Sequence, residues 1–344
     1  MKYREFGRTG LRVSTLSYGA MRATGDAAHM ARRQVPSHDQ IERENRAGAA
    51  ALEAALDAGV NCIHSSGDYG TWWLLGEVLR RRREREEVHH VIKVTTPDYT
   101  EERLDSARVV REVEDALRHL GAERISFVQH LQRGPYVSKE DAYATAGDSR
   151  RIAALPVIAE EFGAVIDDLQ QQGKVGCAIT FPHTMGYARA ALETGVYGGT
   201  AHFLNALEPE ALDLVAEQRG RTGFFGIRPL LQGLLTDARI DRESLAKDDL
   251  KRGPAWDTRY EALARLRAAV AAPDSWTSWA IRFALTPPQV SSLIVSARTP
   301  EQVESLVAAA EQEALSPHEH AAAVGAVLDG PAMPKSDLFV ENLV

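Results

Sequence analysis

The stretch "VVREVEDALRHLGAERISFVQH" (109–130) contains both kinds of element needed to decide the fold. Val109, Val113, Ala116, Leu117 and Leu120 fall on one stripe of a 3.6-residue repeat, and the pattern stops at Gly121. This is an amphipathic helix with one buried face, closed by a glycine where the chain needs a left-handed residue. Directly after it, "ISFVQH" (125–130) is a short, mainly apolar run, as expected of a parallel strand covered on both faces.

The same alternation repeats outward in both directions. "TLSYGA" (15–20), "VNCIHS" (60–65), "HVIKVT" (90–95), "VGCAIT" (175–180), "AHFLN" (201–205), "GFFGI" (223–227) and "SSLIVS" (291–296) bring the predicted strands to eight. Helical patterns lie between them: "NRAGAAALEAALDAG" pairs Leu52 with Leu56 and ends at Gly59, "VIDDLQQQG" ends at Gly173, and "PEQVESLVAAA" opens on Pro300. Eight strands alternating with about eight helices predict a closed (β/α)8 barrel. An open doubly wound sheet is the rival, and no G-x-G-x-x-G follows the first strand to support it. The opening "KYREFGRTGLRVSTL" (2–16), with turns at Gly7 and Gly10, predicts a hairpin that plugs the barrel floor. One domain over 1–330 is expected, followed by a tail over 331–344.

Three polar or mixed segments, roughly 21–41, 131–154 and 231–256, follow strands and so belong to the carboxyl-terminal rim, where barrel loops build active sites. "RRRRERE" (80–86) reads as the solvated end of a helix. Among 344 residues, 44% are hydrophobic and 26% charged, an ordinary balance for a globular protein. Lys plus Arg number 40 against 48 Asp plus Glu, a net charge of -8, which argues against a nucleic-acid surface. No apolar run approaches the roughly 18–20 residues of a membrane span, so a cytoplasmic protein with no membrane partner is expected. Cys62 and Cys177 each fall in a predicted strand and read as two separate thiols.

Strands two, three and four each finish with one chemically able side chain, His64, Lys93 and His130, and Tyr69 follows on the next loop. In a barrel these neighbouring ends converge. An ammonium close to a phenol lowers its pKa from about 10, so Lys93 could tune Tyr69 as a general acid. An imidazole such as His130 could hydrogen-bond a substrate carbonyl while the phenol delivers the proton. Hydride must come from a nicotinamide cofactor, because no side chain donates one. Residue types give a metal site little support, since His64, Asp68 and His130 match no zinc spacing.

These segments together resemble the aldo-keto reductases over nearly the whole chain. "REFGRTGLRVSTLSYGAM" is similar to that family's hairpin and first strand, "ALDAGVNCIHSSGDYG" to its second-strand motif, and "RPLLQGLLTD" and "WAIRFALTPPQVSSLIVSARTPEQVES" to its late cofactor segments. The resemblance implies a (β/α)8 barrel that reduces carbonyls with NADPH through an Asp, Tyr, Lys and His tetrad. It places Tyr69 as the acid, Lys93 as its tuner, His130 as the orienter, and His64 where the aspartate is usual. His64 is then expected to accept a hydrogen bond from Lys93, with Asp68 an alternative source of a carboxylate.

By the same resemblance, Thr180 or Phe181 stands where a Ser-Asn pair holds the carboxamide, Ala201 near the usual glutamine with Asn205 beyond it, and Ile227 and Arg228 where an aromatic and a serine are usual. Pro229, Leu230 and Gly233 would follow the pyrophosphate, Ser296 and Arg298 the 2′-phosphate, and Gln302 the adenine. Ser305 and Leu306 replace a Glu-Asn pair. Trp72 and Trp73 read as a wall of the substrate pocket, with His183 and Tyr187 as further candidates. The function expected is NADP(H)-dependent oxidoreduction of a small carbonyl, alcohol or sugar-like substrate. The alternatives are a redox-neutral lyase, dehydratase or isomerase on the same scaffold, or a non-catalytic nucleotide-binding homologue.

Overall fold

The predicted strands are covered on both sides, by the barrel lumen within and by helices outside. A computed structural model of the protein describes residues 1–25, 38–135, 145–182, 184–239, 241–247 and 249–331. β1 (Tyr3–Glu5) and β2 (Arg12–Ser14) form an antiparallel hairpin. β3 (Leu16–Gly19), β4 (Cys62–Ser66), β5 (His89–Thr95), β6 (Ile125–Leu131), β7 (Val175–Thr180), β8 (Gly199–Phe203), β9 (Gly223–Ile227) and β10 (Ser292–Val295) are parallel and close into one ring, with β10 beside β3.

Around the ring stand α1 (His38–Asp57), α2 (Trp72–Arg80), α3 (Ser106–Leu120), α4 (Thr145–Gln171), α5 (Met185–Glu193), α6 (Ala211–Gln218), α7 (Asp257–Ala269), α8 (Trp276–Leu285), α9 (Pro300–Glu311) and α10 (Pro317–Leu328). The described residues thus hold ten helices rather than about eight, because the β9–β10 connection carries two and the chain adds one after α9. α4 starts inside the segment predicted as a rim loop over 131–154. Parts of all three rim segments, His183 and nearly all of the predicted tail lie outside the described residues. The helix ends carry the capping chemistry read from the sequence: the Gly121 N–H bonds the Leu117 carbonyl at φ 65°, and Thr299 Oγ1 accepts from the Gln302 N–H ahead of Pro300-led α9.

Strand pleating sorts the apolar residues into two layers. Cys62, Val91, Phe127, Cys177, Ile179, Ala201, Phe225 and Ile294 pack together inside the ring. Ile63, Ile92, Val94, Val128, Ala178, Phe224, Leu293 and Val295 pack outward against the helices. The hairpin closes the floor with Phe6, whose ring centroid lies 4.7 Å from Phe127 and 4.5 Å from Phe225. Its seat exists because β9 starts with a glycine: a Cβ on Gly223 would sit 2.1 Å from the Phe6 ring. Cys62 and Cys177 are both free and buried in this apolar floor, and the polar inward residues begin above it.

Candidate active site

Register decides which side chains reach the mouth. Ser66 is paired with Lys93 and Lys93 with Gln129, so three inward positions lie side by side on β4, β5 and β6. His64 is one pleat deeper on β4, while Thr95 and Leu131 pair one pleat higher on β5 and β6. Tyr69 ends the 3-10 turn Gly67–Tyr69 that directly follows β4. The Lys93 ammonium stands over the Tyr69 ring, 5.0 Å from its centroid, and 3.9 Å from the Asp68 carboxylate. The His64 and Tyr69 rings are 6.2 Å apart. Residues 64, 69 and 93 therefore meet at one place.

Their protonation follows from burial. The Tyr69 phenol is pushed up to about 12, first by burial and then by the Asp68 carboxylate, with the Arg228 guanidinium opposing. This is opposite to the lowered value expected from the sequence, because burial and the Asp68 carboxylate outweigh the one opposing cation, Arg228. Burial also lowers Lys93, offset by Asp68 and, more weakly, Glu112. Sequence reading passed over Glu112: on α3 it gave only the charged face of a helix. Burial and the nearby Asp68 charge raise its carboxyl to about 7, close to neutral pH.

His64 is held differently from expectation. Its Nε2–H donates to Gln129 Oε1 at 3.0 Å, not to or from Lys93, whose carboxylate partner is Asp68. Burial and the Lys93 charge bring the imidazole down to about 4, so it is neutral at pH 7.

His130 lies on the outer side of the ring. Its Nε2–H donates to the Thr96 carbonyl at 2.6 Å, its Nδ1 accepts from the Tyr197 hydroxyl at 2.6 Å, and its ring stacks 4.1 Å from Phe162 of α4. Both nitrogens are engaged, so the structure offers no role for it as a carbonyl orienter. The reason is the pleat: Phe127 and Gln129 face in, and His130 takes the opposite side with Val128.

Thr180 pairs with His130 and faces out in the same way, toward Tyr187. Tyr187 is buried there and donates to Gln132. Asn205 is occupied within its own turn, donating to Glu208 and the Arg228 carbonyl and accepting from the Leu207 and Glu208 N–H groups. Trp72 packs outward, its Nε1–H on Ser65 Oγ and its ring beside His119. Trp73, 46% exposed at the start of α2, is the tryptophan left on the surface near the mouth.

The end expected to take the cofactor phosphates carries two guanidinium groups, those of Arg228 and Arg298. Arg228, in a left-handed conformation with φ 57°, lies over the Phe203 ring at 4.7 Å. It leads into Pro229, Leu230 and a turn through Gly233, against which Arg239 packs. Arg298 is exposed at the entrance to α9, beside Ser296, whose hydroxyl donates to the Gly19 carbonyl. Gln302 caps this entrance by accepting from the Arg298 N–H. Guanidinium groups there suit the phosphates of a dinucleotide. The opposite end fits less well, because the inward residues of β7, β8 and β9 are Cys177, Ile179, Ala201, Phe225 and Ile227, none of which bonds an amide.

Comparison with known proteins agrees with the barrel fold. A model of the Aldo/keto reductase family matches residues 15–327. The holo form of the aldo-keto reductase AKR11C1 from Bacillus halodurans superposes with a TM-score of 0.69 at 18% identity, covering 95% of this chain and 96% of that one. The glycerol dehydrogenase AKR11B4 from Gluconobacter oxydans gives 0.66 at 19% identity, covering 96% and 98%.

Proposed function

The chain belongs to the aldo/keto reductase family, as an oxidoreductase type that acts on small carbonyl or alcohol substrates, and from that premise we propose that it reduces a carbonyl with NADPH, using Tyr69 as proton donor. The observation that carries this reading is the Lys93 ammonium over the Tyr69 ring with Asp68 beside it, at the lumen mouth. Bound NADPH would supply the hydride. Arg298 and Ser296 would bind its 2′-phosphate, and Arg228, Pro229, Leu230 and Gly233 the neighbouring phosphates.

The chain's own chemistry is proton delivery. A phenol pushed up to about 12 keeps its proton throughout the neutral range and is a competent donor to a forming alkoxide. Arg228 stabilises the phenolate left behind, and Asp68 holds Lys93 charged beside the ring. His64 is neutral and acts through its neighbours rather than as a charge.

A second reading is favoured by the apolar β7–β9 lining: proton transfer without net redox change, with the nucleotide structural. Fluorescence titration with NADPH and NADH, followed by 340 nm assays on small aldehydes, tests the proposal. Tighter NADPH binding and stoichiometric NADPH consumption are expected, with Arg298→Ala weakening NADPH about tenfold and NADH little. A product at the substrate's own oxidation state would favour the second reading instead.

A further inference from the structure

Among the described residues, two buried polar groups on the inner faces of β5 and β6, Thr95 Oγ1 and Gln129 Nε2, have no hydrogen-bond partner. Gln129 is fully buried, and although its Oε1 receives the His64 Nε2–H, its Nε2 has no hydrogen-bond partner among the described residues. On the adjacent strand, one pleat nearer the mouth, the Thr95 Oγ1 is also buried without a partner. An unpaired buried amide costs about 1–3 kcal/mol. Such a group persists where a ligand completes it.

Carbonyl reduction places a further demand on this lumen. A second donor beside Tyr69 must hold the substrate oxygen and stabilise the charge that develops on it. His130 lies outside the ring with both nitrogens engaged. The inward residues on that strand are Gln129 and Leu131, and Leu131 has no donor.

Resting on the proposed reductase reading, we infer that Gln129 is the carbonyl-orienting catalytic residue, its side-chain N–H donating to the substrate oxygen, and that His64 is its positioning residue. His64 holds the amide by its oxygen, which turns the NH2 group away from β4 and leaves it for a ligand. The substitution of a histidine for the usual aspartate then has a use: it fixes an amide where an imidazole orienter is missing. Gln129 is also paired in register with Lys93, whose ammonium stands over the Tyr69 ring. Neighbouring positions on β5 and β6 therefore carry the proton donor's support and the oxygen's second hydrogen bond.

The test uses the full chain with NADPH, and glyceraldehyde as the probe substrate. Gln129→Met is expected to lower kcat about 10–100-fold while NADPH affinity, read by fluorescence, stays within about twofold. Gln129→Glu keeps an acceptor for His64 but removes the donors, so it is expected to be as slow, and it covers the case in which the methionine variant does not fold. His64→Phe is expected to lose about 5–20-fold in kcat, and His64→Gln, whose amide can donate from the same place, to recover to within about threefold of the native chain. A purely structural role for His64 predicts a lower Tm and no such rescue. Native kcat and KM in folded Gln129→Met, with NADPH-dependent turnover intact, overturn the inference and leave the reductase reading standing. A native chain that neither binds NADPH nor reduces aldehydes overturns both.

Discussion

The inner and outer faces of β6 carry adjacent polar residues with opposite fates. Outside, His130 is stacked on Phe162 and bonded at both nitrogens, a finished structural joint between ring and helix. Inside, Gln129 has one end fixed by His64 and the other without a partner among the described residues, on the strand beside Lys93. The difference teaches that residue type alone does not mark a functional group. What marks it is hydrogen-bonding capacity left open on the inner face of the ring.

The strongest way to break this comparison is to remove one group from each side. Tyr69→Phe should cut aldehyde reduction more than about 100-fold with little change in Tm. His130→Ala should instead cost about 3 kcal/mol or more of stability, through the cavity and two lost hydrogen bonds, with kcat of the folded fraction within about threefold of native. Denaturant unfolding alongside steady-state assays would check both, and a catalytic loss confined to His130→Ala would reverse the assignment.

Acid unfolding probes both faces at once. Burial lowers His64 inside and His90 and His130 in the outer layer to about 4 from the ordinary 6.5. A neutral imidazole favoured by the fold gives stability that is complete above pH 6.5 and lost as pH falls from 6.5 towards 4. Each contributes on the order of 3 kcal/mol. Urea midpoints measured across that window should fall steadily, with proton uptake on unfolding approaching three from these histidines alone.

Direction of reaction offers a smaller, sharper effect. With Tyr69 at about 12, reduction should be flat from pH 6 to 9, whereas alcohol oxidation, which needs the phenolate, should rise close to tenfold per pH unit over the same range. Parallel pH profiles in the two directions measure it; an oxidation plateau near pH 7 would contradict the burial argument. The smallest effect is expected at Thr180, which faces Tyr187 outside the ring. Thr180→Val should leave NADPH affinity within about twofold, and a larger loss by titration would place that side chain in the cofactor site after all.

Strand number, the floor hairpin and the helix caps were legible because each follows from local pattern: apolar runs covered on both sides, glycines at left-handed positions, Thr299 ahead of Pro300. His64, Tyr69 and Lys93 were legible as a group because His64 and Lys93 stand towards the ends of two successive strands and Tyr69 follows on the loop after the first. "VQHLQ" (128–132) was not, since Gln129 and His130 are both polar and periodicity cannot tell which faces in. Glu112 gave no sequence signal as a neighbour of Asp68 and Lys93, nor Arg228 as a neighbour of Tyr69; they are brought there by α3 packing and by a left-handed turn after β9.

By itself the sequence determined the barrel and the chemical types at its rim, because burial on two faces and capping are written in residues a few positions apart. Only the tertiary structure decided that Gln129 rather than His130 enters the lumen, that Asp68 rather than His64 pairs with Lys93, and that burial raises the Tyr69 pKa. Those outcomes depend on strand register and on how deeply each group is desolvated, and both are set by neighbours distant in the chain.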